Sequence, residues 1–129
     1  MIYFHLTYII MALLYIFCGY YINLIVFTLL IVVHEYGHYI SSLIVGFKVD
    51  KIIIYPYGGI TILDGCINKD INKELLVSVS GILLQILFYL IVINLPLRNY
   101  IICLFKIYNR EIIYFNILPI YPLDGYRIV

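Results

Sequence analysis

Charged side chains are scarce in this chain of 129 residues, since Lys, Arg, Asp and Glu together make up 12% of it and apolar residues make up 65%. A soluble domain carries roughly a quarter charged residues. From Ile2 to Gly46 the sequence contains no Lys or Arg, and Glu35 is its only acid. At about 20 apolar residues per span, this run predicts two transmembrane helices joined by a turn at residues 18–23.

Other absences exclude further classes of protein. The net charge is +1 and no Lys/Arg cluster is present, which argues against a nucleic-acid surface. Cys18, Cys66 and Cys103 are too few and too far apart for a disulfide framework, and no C-x-x-C pair offers a thiolate zinc site. The first segment lacks both the basic start and the small-x-small cleavage site of a signal peptide. We therefore interpret it as a membrane segment.

The middle of the chain is more polar and then turns apolar again. β-Branched and aromatic residues flank Pro56-Tyr57-Gly58-Gly59, which predicts a short hairpin closed by a turn at Asp64-Gly65. A third span is expected between Glu74 and Pro96, with Gln85 as its most polar interior residue.

The fourth segment is interrupted by charge. We expect a loop around Lys106 to Arg110 and then a helix that breaks at Pro119 and Pro122. Broken backbone at membrane depth is tolerated only when it is buried in protein or lines a watery cavity, so the break is a candidate for a functional site.

We therefore expect one all-α membrane domain over residues 1–129, with polytopic transmembrane helices and a short β-hairpin between the second and third. The predicted elements are helices at about 2–19, 22–46, 74–95 and 111–118 and a hairpin at about 49–63. Four lysines lie between Phe47 and Lys73, against no basic residue in the first turn and three between Leu97 and Arg110. This count favours a cytoplasmic amino terminus and a cytoplasmic hairpin.

The chemistry is concentrated in one motif, His34-Glu35-Tyr36-Gly37-His38. Two histidines four residues apart on a helix can bind one metal ion from a single face, and the intervening glutamate can act as a general base. Zinc suits imidazole and carboxylate ligands and needs a third protein ligand. Because an unpaired acid near the interior of a bilayer costs several kcal/mol, a metal site is favoured over a structural polar cluster.

The third ligand must come from elsewhere in the chain. The candidates are His5, Asp64, Asp124 and the three cysteines. Asp124 is favoured because it follows the proline-broken segment and precedes Gly125, which lets the backbone turn. The alternative for Asp124 is a plain Asp-Gly turn outside the membrane, and we interpret His5 as an interfacial residue.

The motif of the second helix, together with the segment from Asn116 to Gly125, resembles the two-part signature of the site-2 protease family of intramembrane zinc metalloproteases. The Pro56–Gly59 and Ser80–Leu84 segments are similar to two further family segments, although Ile82 and Tyr126 differ from the family pattern. The hairpin is short, and there is no room for a PDZ domain between His38 and Asp124. In these features and in the order of its segments, the chain resembles most closely the sporulation branch of the family, whose members process a pro-sigma factor.

The resemblance implies that His34, His38 and Asp124 bind one zinc ion per chain and that Glu35 is the general base. Asn116 would lie near the substrate peptide or the developing oxyanion. The implied substrate is a membrane-associated protein, with membrane regulatory proteins as further partners, in a bacterial inner or forespore-type membrane and with the site toward the cytoplasm. Family members continue into further helices, so we expect the chain ending at Val129 to be a fragment or a truncated form.

Two alternatives of other classes remain at this point. One is a non-catalytic metal-binding or metal-transport membrane protein that uses the same three ligands, and the other is a structural or interaction subunit. The first would tolerate the loss of Glu35, because only hydrolysis requires a base at this position. Absence of stoichiometric zinc from the purified full-length protein would favour the second.

Overall fold

The structure is a computed structural model that describes residues 1–64, 70–96, 99–119 and 124. Its elements, in chain order, are β1 (Ile2–Phe4), α1 (Leu6–Phe17), α2 (Tyr21–Val45), β2 (Lys48–Tyr55), β3 (Gly58–Asp64), α3 (Ile71–Ile93) and α4 (Tyr100–Ile117). The prediction of a largely helical chain with a short sheet before the third long helix is confirmed.

Two of the helices, α2 and α3, are long and apolar enough to cross a membrane. Their bounds lie within three residues of those predicted. Helix α2 ends at Val45 and is capped by Gly46, whose left-handed φ of 86° lets the N–H of Phe47 turn back and donate to the carbonyl oxygen of Ser42. Helix α3 begins three residues before Glu74, because Asn72 and Lys73 are compatible with a first helical turn after Asp70.

The helices bury polar side chains and expose apolar ones, which is the reverse of the pattern in a soluble protein. Ile25, Ile44 and Leu83 are 63%, 78% and 59% exposed on the outer surface. The buried polar side chains on α2, α3 and α4 are His34, Glu35, His38, Ser41, Ser42, Ser78, Gln85, Asn109 and Asn116. Lipid tails solvate such an apolar exterior, whereas polar groups at membrane depth must find partners inside the bundle.

Helices α2 and α3 come into close contact at two glycines. A Cβ atom on Gly37 would lie 2.8 Å from the Cα atom of Gly81 and 2.9 Å from the carbonyl oxygen of Ser80. Ser41 Oγ and Ser80 Oγ lie 2.7 Å apart beside this contact. Small residues of this kind allow helix backbones to touch in a membrane, and here they bring α3 against the H-E-x-x-H motif.

The amino terminus differs from the prediction of a helix from residue 2. Ile2–Phe4 forms β1, which pairs in parallel with Ile52–Ile54 of β2, and α1 begins only after His5. The β-branched and aromatic triplet suits strand pairing with three consecutive isoleucines. The remaining helix of 12 residues is about 18 Å long, shorter than the hydrocarbon core of a bilayer.

The sheet therefore has three strands in the order β1-β2-β3, rather than the two of the predicted hairpin. Strands β2 and β3 are antiparallel, with Tyr55 opposite Gly58 at the turn and a bulge between Val49 and Lys51. Asp64 is the last residue of β3, and the predicted turn partner Gly65 lies outside the described residues.

The prediction of a loop at Lys106 to Arg110 is wrong, because α4 runs without interruption from Tyr100 to Ile117. Lys and Arg are good helix formers, and Arg110 lies on the exposed face next to Glu111, while Asn109 turns inward. The helix ends one residue before Leu118, which is extended because Pro119 follows it. Pro122 lies outside the described residues.

Candidate metal centre

The two histidines of α2 and a carboxylate that is distant in sequence meet at one point. The Oδ2 atom of Asp124 lies 2.9 Å from Nε2 of His34 and 3.0 Å from Nε2 of His38. The two Nε2 atoms lie 3.1 Å apart. Both histidines are buried, and 86 residues separate His38 from Asp124.

The histidine rings are oriented through their other nitrogen. Nδ1 of His38 lies 2.7 Å from the carbonyl oxygen of Val77, which can only accept a hydrogen bond. This nitrogen therefore carries the hydrogen, and Nε2 presents its lone pair to the centre. Nδ1 of His34 similarly lies 3.1 Å from Oε1 of Gln85.

The arrangement fits a metal ion. Two imidazole lone pairs and a carboxylate oxygen repel one another at these distances unless a cation or a proton lies between them. Ligand atoms around tetrahedral zinc stand roughly 3.3–3.6 Å apart, which is a few tenths of an ångström wider than the distances here. The cluster of His34, Glu35 and His38 offers ligand atoms within 4.8 Å of one another.

Glu35 is held by the sheet. Its Oε2 atom accepts a hydrogen bond of 2.7 Å from Oγ1 of Thr61, and both side chains are buried. A Cβ atom on Gly59 would lie 2.5 Å from the Oε1 atom of Glu35, so only glycine allows β3 to approach this closely. The carboxylate is fixed between a helix and a strand.

A small cavity adjoins Glu35. It has a volume of about 10 Å³, and its lining includes Glu35, His38, Thr61 and Asp124. This is room for about one water molecule, with several polar partners around it. Glu35, His38, Asp124 and a water-sized space therefore lie together.

The other predicted ligand candidates lie elsewhere. His5 precedes α1, accepts a hydrogen bond from the Thr7 backbone and stacks on Tyr55 with ring centroids 4.5 Å apart. Asp64 is exposed at the end of β3, opposite Lys48. Cys18 and Cys103 are exposed free thiols, and Cys66 lies outside the described residues.

Asn116 is buried in α4, where its Nδ2 donates to the carbonyl oxygen of Ile112 one turn earlier. That hydrogen bond ties the amide to its own helix. Its role toward a substrate remains a prediction.

Sequence reasoning missed the residues that support this centre. Gly81 faces the histidine rings, since a Cβ atom there would lie 2.5 Å from Cε1 of His38 and 3.0 Å from Cε1 of His34. Thr61 and Gly59 hold Glu35, and Gln85 contacts His34. Gln85 was visible as a polar residue in an apolar span, and Gly59 and Gly81 lie in the two segments that resemble the family, although neither glycine was assigned this role. Thr61 carried no signal.

The family model of peptidase family M50 matches residues 22–99, more than half of the chain. The chain belongs to this family, and the resemblance to site-2 proteases is confirmed. Together with the two long apolar helices, this membership identifies an integral membrane protein.

Two curated relatives and one solved structure define the likeness further. Stage IV sporulation protein FB of Bacillus subtilis is 26% identical over 110 residues, which are 82% of this chain and 38% of that protein. Zinc metalloprotease MJ0392 of Methanocaldococcus jannaschii is 30% identical over 105 residues, which are 77% of this chain and 30% of that protein.

The solved structure is the site-2 protease of Methanocaldococcus jannaschii. It superimposes with a TM-score of 0.82 at 24% identity, over 97% of this chain and 63% of that chain, and so shows the fold. The chain spans about a third of the length of the curated relatives that it matches.

Proposed function

We propose that this chain is the core of an intramembrane zinc endopeptidase that cleaves a membrane-associated protein. The observation that carries the proposal is the convergence of His34, His38 and Asp124 beside a glutamate held by a separate layer. Family membership, and a relative named as a zinc metalloprotease, support the same chemistry.

His34, His38 and Asp124 would hold one zinc ion per chain. A bound zinc ion supplies a Lewis acid that lowers the pKa of a water molecule and polarises a carbonyl group. The ligand set of two histidines and one carboxylate is the type found in catalytic rather than structural zinc sites, which usually have four protein ligands.

Glu35 is the general base of this proposal. Its carboxylate takes a proton from a water in the adjoining cavity as the water oxygen bonds to the scissile carbonyl carbon. The same proton then passes to the amide nitrogen as the carbon–nitrogen bond breaks. The hydroxyl of Thr61 occupies Oε2, which leaves Oε1 as the proton-accepting oxygen. Asn116 is proposed as a donor toward the substrate or the oxyanion.

The substrate would bind as an extended strand. A helix hides its own amides, so a membrane-spanning substrate must unwind before its backbone can be cleaved. Strand β2 is paired on both sides, by β1 and β3, which leaves β3 with a free edge among the described strands. Because β3 carries Gly59 and Thr61 beside Glu35, a strand added to this edge would bring its carbonyl groups toward the base.

We further propose a cytoplasmic site and a regulatory substrate, with a sigma-factor precursor as the first candidate. The lysines around the sheet favour the cytoplasmic side, since Lys48 and Lys51 belong to β2. The relative from Bacillus subtilis is named as a sporulation protein, which supports a substrate of that developmental programme. Membrane proteins that regulate the cleavage are the expected partners.

The variant E35Q tests the reaction in full-length protein co-expressed with the candidate precursor. Cleavage should fall at least 100-fold while zinc content is unchanged, because the amide cannot accept the proton. The matched control is E111Q, which changes a glutamate that is 63% exposed on α4 and should cleave normally. Cleavage by E35Q at the normal rate would contradict the mechanism, and metal transport that survived E35Q would favour the non-catalytic alternative.

A further inference from the structure

A polar connection links three helices beside the proposed metal centre. Gln85 of α3 is fully buried, and its Oε1 atom lies 3.1 Å from Nδ1 of His34 on α2. Asn109 of α4 is 2% exposed, and its Nδ2 atom donates to the backbone carbonyl oxygen of Gln85 over 3.1 Å. Gln85 therefore contacts a motif histidine on one side and is contacted by α4 on the other.

This connection carries an energetic cost that packing does not explain. Nε2 of Gln85 and Oδ1 of Asn109 are buried and have no hydrogen-bond partner among the described residues. A buried amide group without a partner costs about 1–3 kcal/mol, whereas an apolar side chain of similar size would fill the same space without that cost. The favourable contact that an apolar residue could not supply is the one with His34.

We propose that Gln85 is a positioning residue for the metal centre. Its Oε1 atom accepts the Nδ1 hydrogen of His34, which keeps the hydrogen off Nε2 and holds the ring with the Nε2 lone pair toward His38 and Asp124. This inference rests on the zinc site proposed above, and it identifies Gln85 as a residue on which the zinc affinity of that site depends.

The two histidines differ in how they are held. His38 meets a backbone carbonyl oxygen, that of Val77, so its orientation depends on the position of α3 and not on a side chain. His34 meets the side chain of Gln85, so its orientation depends on one residue. Without that acceptor, the hydrogen can move to Nε2 and the ring can rotate, and either change removes one metal ligand.

Asn109 has a secondary place in this scheme. It joins α4 to α3 by donating to the backbone carbonyl oxygen of Gln85, and it does not contact His34 directly. The variant N109A should therefore weaken zinc binding by about threefold, less than the loss of the acceptor itself.

Zinc affinity provides a readout that does not depend on cleavage. We would measure it on purified full-length protein in detergent, by competition with a chromophoric zinc chelator. Q85M removes the acceptor at similar side-chain length and should weaken zinc binding about 10–100-fold, as loss of such supporting hydrogen bonds does at other zinc sites. Q85E restores an acceptor and should bind zinc at least as tightly as the natural protein.

The matched control is S78A. Ser78 is buried on the same helix, and its hydroxyl has no partner among the described residues, so zinc affinity should stay within about twofold. A loss in S78A as large as in Q85M would assign the effect to packing of α3 and overturn the proposal.

The remaining outcomes separate the two proposals. Stoichiometric zinc in the natural protein, with Q85M of equal affinity, overturns the role of Gln85 and leaves the peptidase intact. Absence of zinc from the natural protein overturns both. Should Q85M not fold, Q85E decides alone, because tenfold weaker zinc binding with an acceptor in place is incompatible with the proposed role.

Discussion

The helical side and the sheet side of the centre hold their residues by different means. On the helical side, the rings of His34 and His38 are fixed by α3, through the side chain of Gln85 and the carbonyl oxygen of Val77. On the sheet side, Glu35 is fixed by β3, through the hydroxyl of Thr61. Consecutive residues of a helix point about 100° apart, so His34 faces α3 while the adjacent Glu35 faces the sheet.

In the proposed peptidase, metal binding and proton transfer would therefore have separate supports. A change on the helical side should remove zinc, and with it cleavage. A change on the sheet side should leave zinc bound and slow cleavage alone. Zinc content and turnover, measured together, therefore identify the side on which a variant acts.

The largest effect is expected for G81A, on the helical side. The new methyl group would lie 2.5 Å from Cε1 of His38. Because a hydrogen bond to the carbonyl oxygen of Val77 holds the His38 ring in place, the ring can avoid this clash only by leaving its position. Zinc affinity should fall about 100-fold or more, measured by chelator competition. L83A, a lipid-facing change on the same helix, is the control and should bind zinc normally. Unchanged zinc affinity in G81A would contradict the claim that α3 positions the histidine rings for zinc binding.

A smaller effect is expected for T61V, on the sheet side. Valine preserves the shape of threonine but leaves Oε2 of Glu35 without its donor. The kcat for cleavage should fall about tenfold, as expected for loss of one hydrogen bond to a charged group, with KM and zinc content unchanged. T61S keeps the hydroxyl and should restore most of the rate. Loss of zinc from T61V would show that the two supports are not separate.

The smallest effect is expected for H5A, which lies outside both supports. His5 accepts from the Thr7 backbone and stacks on Tyr55, so its loss should lower stability by about 1 kcal/mol or less. Zinc affinity and turnover should stay within about twofold of the natural protein, since His5 does not reach the centre. A large loss of zinc would return His5 to the ligand candidates.

Much of this arrangement could be predicted from the sequence. Hydropathy located α2 and α3 to within three residues, because an apolar run of this length has few alternatives. The H-E-x-x-H motif placed two histidines on one face of α2, since helical periodicity is fixed. Asp124 was favoured for its proline-rich setting, and the structure brings its carboxylate to both rings.

The rest depended on long-range packing. Strand β1 was missed because three residues carry no signal of the distant strand with which they pair. The loop in α4 was predicted from the charges of Lys106 and Arg110, which a helix can instead direct to its outer face. The contact of Gln85 with His34 depends on which face of α3 meets α2, and the apposition of Gly37 and Gly81 sets that face.

The cavity beside Glu35 has a consequence for the supply of reactant. Its volume of about 10 Å³ accommodates about one water molecule. Each peptide bond that is hydrolysed consumes one water, so a peptidase working through this cavity must take up a new water molecule between successive cuts. The path by which bulk water crosses the apolar exterior is then as much a part of the catalytic cycle as the entry of the polypeptide.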